Sequence, residues 1–100
     1  MFIFEQTQEF SHWLTRLKDP QGKTRVLARI RAAQLGRFGD CVSIGGGVHE
    51  MRIHRGPGYR VYFSRRGERI CLLLIGGDKS TQSRDIQRAR QLAHDLKNED

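Results

Sequence analysis

The sequence predicts an α+β fold with the element order β-α-α-β-β-β-β-α, in which an N-terminal helical hairpin and a C-terminal helix pack on an antiparallel-rich sheet. Two observations predict it. Apolar residues recur at helical spacing near both ends of the chain, whereas the middle consists of short alternating segments separated by glycine-rich turns. One hundred residues are enough for one domain, so we assign residues 1–100 to a single unit.

The first third of the chain is predicted to form a strand and two helices. Phe2–Phe4 is expected to be a short edge strand, and Thr7 is expected to cap the helix that follows. The apolar stripe of that helix consists of Phe10, Trp13, Leu14 and Leu17. The segment Asp19–Gly22 should end it, and a second helix should run over Lys23–Leu35 to a left-handed cap at Gly36.

The middle of the chain is predicted to form four successive strands. They are Cys41–Ile44, Val48–His54, Tyr59–Ser64 and Ile70–Ile75. The last of them is continuously apolar, which is typical of a central strand that is buried on both faces. Ser80 or Thr81 is then expected to cap the C-terminal helix. The apolar stripe of this helix consists of Ile86, Ala89, Ala93 and Leu96.

The charge balance indicates a polyanionic partner. Eighteen Lys and Arg stand against eleven Asp and Glu, a formal net charge of +7, and RNA or DNA is the commonest partner of such a small basic domain. The alternative is that the surplus charge only keeps the protein soluble. Cys41 and Cys71 form neither a disulfide scaffold nor a zinc pattern, and the sequence shows no leader peptide or membrane span. We therefore expect a cytoplasmic protein without a metal or cofactor.

A predicted hairpin within Glu50–Phe63 carries the best candidates for chemistry. Alternation places Arg52 and His54 on one face of its first strand and Arg60 and Tyr62 on the polar face of its second. Metal-free RNA cleavage needs a base, cations that hold the phosphate and an acid, and these side chains could supply all three. Tyr62, or Tyr59 after a rotation of the turn, could donate a proton or stack a base. The alternative is a solvated cross-strand ladder in which Glu50 pairs with Arg60.

Two further groups of basic residues are candidates for phosphate contacts. Lys79 follows the buried strand where a helix begins, and helix starts attract anions; the neighbouring hydroxyls could equally serve only as caps. The predicted RNA-binding or ribosome-binding residues on and after the second helix and in the hairpin turn are Lys23, Arg25, Arg29, Arg31, Arg37 and Arg55. A plain solvated face is the alternative for this set.

Several motifs together resemble one known family. The run G-V-H-E-M-R-I-H-R-G-P-G-Y-R-V-Y-F at Gly47–Phe63 is followed by L-L-L-I-G-G-D-K-S-T-Q at Leu72–Gln82 and D-I-x-x-A at Asp85–Ala89. With Phe10–Asp19 and Phe38–Asp40, they closely resemble the RelE/ParE superfamily, and more narrowly its HigB-like, phage-related "addiction module killer protein" group. The resemblance covers nearly the whole chain. The motifs G-P-G-Y-R-V-Y-F and G-G-D-K-S-T-Q are specific when they occur together.

The resemblance implies a RelE-like fold and the toxin half of a bacterial type II toxin–antitoxin system. Such toxins enter the ribosomal A site and cut mRNA without a metal, as mRNA interferases. The family's basic strand residues correspond by position to Arg52, His54 and Arg60, and its basic residue after the last strand corresponds to Lys79. The chain departs from the pattern at 80–84, where several RelE-like nucleases carry a catalytic tyrosine or histidine.

The resemblance also implies partners and leaves two other functions open. A cognate antitoxin, expected to be of the helix-turn-helix type, should cover part of the basic face or displace the C-terminal helix with acidic and apolar residues. Ribosome and mRNA are the expected targets, operator DNA is expected to be contacted only by the toxin–antitoxin complex, and no membrane is expected. ParE-like members instead poison DNA gyrase by binding, and a non-catalytic RNA-binding or structural module is the third possibility.

Overall fold

The computed structural model describes residues 1–97, and over that range the chain is an α+β fold with a five-stranded mixed sheet and three α-helices. The elements are β1 (Ile3–Gln6), α1 (Gln8–Arg16), α2 (Pro20–Gln34), β2 (Cys41–Gly45), β3 (Val48–Ile53), β4 (Tyr59–Arg66), β5 (Ile70–Gly77) and α3 (Gln82–Lys97). The strands lie in the order β1-β5-β4-β3-β2. β1 runs parallel to β5, and the other neighbours are antiparallel. The predicted element order is therefore observed.

The N-terminal strand and its cap agree with the sequence prediction. β1 lies at one edge of the sheet and pairs with β5 as far as Gln6, two residues beyond the predicted end. Thr7 is the N-cap of α1, and its hydroxyl oxygen accepts a hydrogen bond from the Phe10 N–H at 3.0 Å. The same hydroxyl donates to the Leu74 carbonyl at 2.6 Å. Thr7 therefore joins the start of α1 to the central strand.

The prediction for Asp19–Gly22 was wrong in part, because this segment begins the second helix. α1 already ends at Arg16, and α2 starts at Pro20 instead of Lys23. Asp19 is the N-cap, since its carboxylate accepts from the Gly22 N–H at 3.1 Å. Proline at the first helical position lacks only an N–H that would have no partner there anyway. The predicted left-handed cap at Gly36 is confirmed by its φ of 89°.

The cap of the C-terminal helix differs from the prediction. Asp78 caps a short 3₁₀ turn, Lys79–Thr81, that leads directly into α3. Its carboxylate accepts from the Ser80 N–H at 2.8 Å, and the Thr81 hydroxyl oxygen accepts from the Asp78 N–H at 3.3 Å. Ser80 and Thr81 thus lie inside the first turn. The signal was present, because an Asp three residues before a hydroxyl side chain can form a reciprocal cap.

The sheet separates two apolar layers. The larger cluster lies between the sheet and the helices α1 and α2, and it includes Phe10, Val26, Ile30, Met51, Val61, Phe63 and Leu73. The smaller cluster lies between the sheet and α3, and it consists of Val48, Tyr62, Leu72, Leu74 and Ala89. Residues Cys71–Leu74 of β5 alternate between the two layers, and the strand is buried on both faces as predicted. At an irregularity in the pairing with β4, Ile75 then packs on the same layer as Leu74. β3 ends at Ile53, so His54 lies just past the strand to which the sequence assigned it.

Candidate functional site

A fully buried carboxylate lies at the centre of the sheet face that α3 covers. Glu50 on β3 has no solvent exposure. It accepts hydrogen bonds from Arg52 Nε at 2.9 Å, from the Tyr62 hydroxyl at 2.8 Å and from Gln82 Nε2 at 2.9 Å. The three donors come from β3, β4 and the first residue of α3. Glu50 therefore links three elements. The alternative of a cross-strand ladder is confirmed in its pairing of Glu50 with Arg60 and is wrong only in placing that pair in solvent.

The surroundings of Glu50 keep it ionised. Burial by itself would raise the pKa of its carboxyl, but hydrogen bonds from Arg52, Gln82 and Tyr62 outweigh burial and hold that pKa below its usual value. Burial, together with the bond to Glu50, raises the pKa of the Tyr62 phenol. The phenol consequently stays protonated and remains a donor to the carboxylate near neutral pH.

Arg52 and Arg60 meet at this carboxylate from neighbouring strands. They are directly opposite each other in the β3–β4 register, and Arg60 Nε lies 3.6 Å from Glu50 Oε2. The Arg52 side chain is 35% exposed, whereas that of Arg60 is 11% exposed. Arg52 is therefore the more accessible of the two arginines, and Arg60 lies deeper. The structure brings these two predicted site residues together.

Arg60 is held by the turn between β3 and β4. Its Nη1 donates to the Gly58 carbonyl at 2.6 Å, and its buried Nε has no hydrogen-bond partner within residues 1–97. Gly58 has a φ of 76°, and a Cβ there would lie 2.9 Å from Arg60 Nη1. This glycine is required both for its left-handed backbone and for the space it leaves to the guanidinium.

Lys79 lies beside the same turn. Its backbone N–H donates to the Pro57 carbonyl at 3.3 Å, and its Cβ is 3.4 Å from the position that a Cβ on Gly58 would take. The Lys79 side chain is exposed. A third predicted cation thus lies beside the turn that holds Arg60. We call Arg52, Arg60, Lys79 and the carboxylate of Glu50 the cationic cluster.

His54 lies at the margin of this cluster and pairs with a carboxylate that the sequence analysis did not single out. Its ring Nε2 contacts Asp40 Oδ2. The hydrogen bond from His54 lowers the pKa of the Asp40 carboxyl, with smaller contributions from the charges of Arg52 and Arg29. The Asp40 backbone is itself anchored, because its carbonyl accepts from the Arg52 N–H at 2.9 Å. His54 is therefore held by Asp40, whose backbone is in turn bonded to that of Arg52.

The two tyrosines are engaged inside the protein. Tyr62 is fully buried and donates to Glu50, while Tyr59 is buried on the opposite layer and donates to Asp19 Oδ2 at 2.9 Å. Neither presents an exposed ring on which a base could stack. The structure therefore corrects the assignment of Tyr62 as a substrate-contacting residue, because its hydroxyl is used to hold Glu50.

The basic residues of the second helix are separated from the cationic cluster by the sheet. α2 packs on the layer opposite α3. Arg29 is used internally, since its guanidinium donates to the carbonyls of Phe38, at 3.0 Å, and of Arg52, which corrects its assignment as a free phosphate contact. The remaining predicted residues are half-buried or exposed: Lys23, Arg25, Arg31, Arg37 and Arg55. Arg25 and Arg55 line one small cavity of about 130 Å³.

The described residues form neither a metal site nor a membrane-spanning helix. Over residues 1–97, no group of three or more His, Cys, Asp or Glu side chains is placed to hold a metal ion. Over the same range, none of the helices combines the length and apolar character needed to cross a membrane.

Three features of the site could not be predicted from the sequence. They are the burial of Glu50 among several donors, the hydrogen bond that Gln82 donates to it, and the pairing of Asp40 with His54. Glu50 alternates with Arg52 on a strand, a pattern that equally fits a solvated ion pair. Only the packing of α3 over β3 and β4 turns it into a buried acceptor. The signal for Gln82 was weak, because a glutamine at the start of a helix is usually solvated.

Comparison with known proteins places the chain in a family. No family model matches the sequence. The chain is 46% identical over 90 residues to a Haemophilus influenzae (strain Rd) protein named "Uncharacterized protein", a match that covers 90% of this chain and 91% of the other. The chain therefore belongs to the same family as this Haemophilus protein.

Proposed function

We propose that the protein is the toxin of a bacterial type II toxin–antitoxin system, a HigB-like member of the RelE/ParE superfamily that cuts mRNA on the ribosome without a metal. The observation that supports this most is the meeting of Arg52 and Arg60, from two paired strands, at the buried Glu50 carboxylate. The observed element order agrees with the RelE-like fold that the motifs imply.

The cationic cluster supplies what phosphate-bound catalysis needs. A transferring phosphate gains negative charge on its equatorial oxygens, and donors that are already in place stabilise that charge without reorganisation. Glu50 holds Arg52 through Nε at 2.9 Å, so this contact does not use the two terminal nitrogens of the half-buried guanidinium. Arginine matches two phosphate oxygens with two parallel N–H groups. Arg52 is thus the first contact for the scissile phosphate, supported by Lys79.

His54 is the candidate for proton transfer. An imidazole ring can take a proton from a 2′-hydroxyl or give one to a 5′-oxygen. Its Nε2 faces Asp40, which leaves Nδ1 as the ring atom that can reach a substrate. Proton transfer of this kind contributes about 10²–10⁴-fold in rate. In this proposal Arg60 and Tyr62 act through Glu50 as positioning residues.

Cleavage of mRNA on programmed ribosomes tests the proposal. Wild-type protein should cut the message within the A-site codon, and Arg52→Ala should lower the rate by about 10²–10³-fold, the usual cost of one lost charge-stabilising donor. Arg60→Ala should also lower the rate, because Glu50 then loses its second cation. The control is Arg69→Ala, which removes the same charge from an exposed position in the β4–β5 turn and should leave the rate unchanged.

Other outcomes would assign a different function. Cells that induce the protein without an antitoxin should stop growing, and unimpaired growth would contradict a toxin. DNA damage with intact mRNA would indicate a gyrase poison instead. Equal loss of RNA affinity in Arg52→Ala and Arg60→Ala, with no cleavage product from the wild type on ribosomes, would indicate a binding module.

A further inference from the structure

A wide groove lies between α1 and α3, next to the end of β5. Its volume is about 690 Å³, larger than that of the small cavity beside Arg25 and Arg55. The apolar part of its lining consists of Trp13, Leu17, Ile75 and Gly76. Trp13 is the single tryptophan of the chain and is half-buried.

The groove exists because β1 is shorter than the strand it accompanies. β1 pairs with β5 only as far as Leu73, and Thr7 then turns the chain into α1 by bonding to the carbonyl of Leu74. The last residues of β5 continue between the two helices. At Gly76 a Cβ would lie 2.2 Å from Trp13 Cε3, so the indole ring lies directly against the backbone of the strand.

The rim of the groove is mainly cationic. Its ionisable side chains are Glu9, His12, Arg16, Lys18, Arg84, Asp85 and Arg88. Both carboxylates are already engaged. Glu9 accepts two bonds from Arg88, and Asp85 accepts from the Thr81 hydroxyl and lies 3.9 Å from Nε of the largely exposed Arg84. No ion pair involves Arg16 or Lys18 within the part of the chain that the structure describes. The groove therefore offers uncompensated positive charge next to an aromatic ring.

This combination fits a nucleotide better than an acidic helix. Single-stranded nucleic acid is bound by aromatic side chains that take the bases and by cations that follow the phosphates. The volume lies within the range of about 300–1,000 Å³ that is typical of small-ligand sites. An amphipathic helix would need a long apolar stripe to pack against, whereas only four of the lining residues are apolar or glycine and seven are ionisable.

The groove is also continuous with the surface at the start of α3. Arg84 lines the groove and, at the same time, a shallow surface cavity formed by residues 79–84. That cavity includes Lys79 of the cationic cluster and Gln82, which contacts Glu50. A strand of RNA held at the cluster would pass over this turn into the groove.

We propose that the groove between α1 and α3 is a binding site for a nucleotide of single-stranded RNA, with the base against Trp13 and a phosphate at Arg16, Lys18 and Arg84. The identification of this RNA as the stretch flanking the cleaved link rests on the proposed function. The binding itself does not, because it concerns the free protein and RNA without a ribosome.

The emission of Trp13 reports directly on the site. A short oligoadenylate should quench it saturably, since a base that contacts the indole alters its surroundings, and ribose 5-phosphate should leave it nearly unchanged. Anisotropy of the same oligonucleotide carrying a dye measures binding anywhere on the protein. The two titrations should give the same midpoint.

Paired variants test the cations of the rim. Arg16→Ala/Lys18→Ala should weaken binding by about tenfold and should reduce the slope of log affinity against log salt by about 1.4, the value for two lost phosphate contacts to a single strand. The control is Arg69→Ala/Lys97→Ala, which removes the same charge just before β5 and at the end of α3 and should retain the groove affinity. Circular dichroism and thermal melting establish that both double variants fold.

Three results would overturn the proposal. Saturating anisotropy without a change in Trp13 emission would place the RNA elsewhere on the protein. An equal loss of RNA affinity in the two double variants would show that binding depends only on the net charge of the protein and not on the groove. An acidic, leucine-rich peptide that quenches Trp13 where oligoadenylate does not would make the groove a docking site for protein. None of these results alters ribosome-dependent cleavage or its loss in Arg52→Ala, so the proposed function is tested separately.

Discussion

The two faces of the sheet are both covered by helices but are built from different interactions. The α1/α2 face joins fully or nearly fully buried apolar side chains such as Phe10, Met51 and Val61. The α3 face has a smaller apolar cluster and, beside it, the buried Glu50 with its donors. The first face needs only volume and shape, whereas the second depends on directed hydrogen bonds. The comparison indicates that the α1/α2 face determines stability and that the α3 face determines geometry.

Stability alone does not account for Glu50. Removing a charged pair from water is costly, and replacing it by well-packed apolar residues is often neutral or stabilising. Glu50 nevertheless holds four side chains from three elements, two of them the arginines of the cationic cluster. In the function proposed above, this carboxylate orients the two guanidinium groups for a ligand phosphate.

Phe10→Ala should show the largest loss of stability, about 3–5 kcal/mol in the free energy of unfolding, because the deleted ring leaves a cavity among the buried apolar side chains of the α1/α2 face. Urea denaturation measures it. Under conditions where the variant is folded, its cleavage rate per folded molecule should equal that of the wild type. A variant that is as stable as the wild type, or one that is folded but inactive, would contradict the separation of the two faces.

Glu50→Gln should show the opposite balance. The amide has nearly the same shape, but its NH₂ group replaces an oxygen that accepts hydrogen bonds, so two donors face each other. We therefore expect the free energy of unfolding to fall by about 1–3 kcal/mol. Cleavage should fall much further than this stability loss explains, since Arg52 and Arg60 lose the charge that orients them. The measurement is denaturation together with ribosomal cleavage, and full activity of the Glu50→Gln variant would remove Glu50 from the site.

The stability difference between wild type and Glu50→Gln should depend on pH. The pKa of Glu50 is lower in the folded protein than its ordinary value of 4.5, so its ionised form stabilises the fold fully above that value. The contribution is lost as the pH falls through the lowered pKa. Denaturation midpoints of the two proteins should therefore stay apart from about pH 7 to about pH 5 and converge in more acidic solution. A constant difference would show that the charge of Glu50 does not matter.

Arg88→Ala should have the smallest effect of this set. Arg88 on α3 bonds to Glu9 on α1, and the pair joins the helices of the two faces. The Arg88 side chain is 44% exposed, so solvent screens the pair, and about 0.2–1 kcal/mol is the usual contribution of such a contact. Thermal melting at low and high salt measures it. A loss that matches Phe10→Ala would show that the two helices depend on each other.

The elements could be predicted because their signals are local. The helical stripe in α1, the cap at Thr7 and the apolar run of β5 each depend on neighbours in the chain. Asp19 and Pro20 were misinterpreted because the same dipeptide both breaks one helix and starts the next, and the structure shows that the second effect prevails.

The candidate site could be predicted only in part. Alternation alone placed Arg52 and Arg60 on one face, because the period of a strand is two. It did not reveal that Glu50 is inaccessible, that Tyr62 donates to it, or that Asp40 reaches His54 from another loop. Each of these is a contact between residues distant in the chain, and no local pattern carries it.

By itself, then, the amino-acid order determined which segments become helices and strands, which of their sides are apolar, and that the surface is strongly basic. The tertiary structure alone decided which polar groups lose water. Packing α3 across β3 and β4 makes Glu50 a buried acceptor, and ending β1 at Gln6 opens the groove beside Trp13. Desolvation and cavity shape arise from several elements together, and they govern both charge and access.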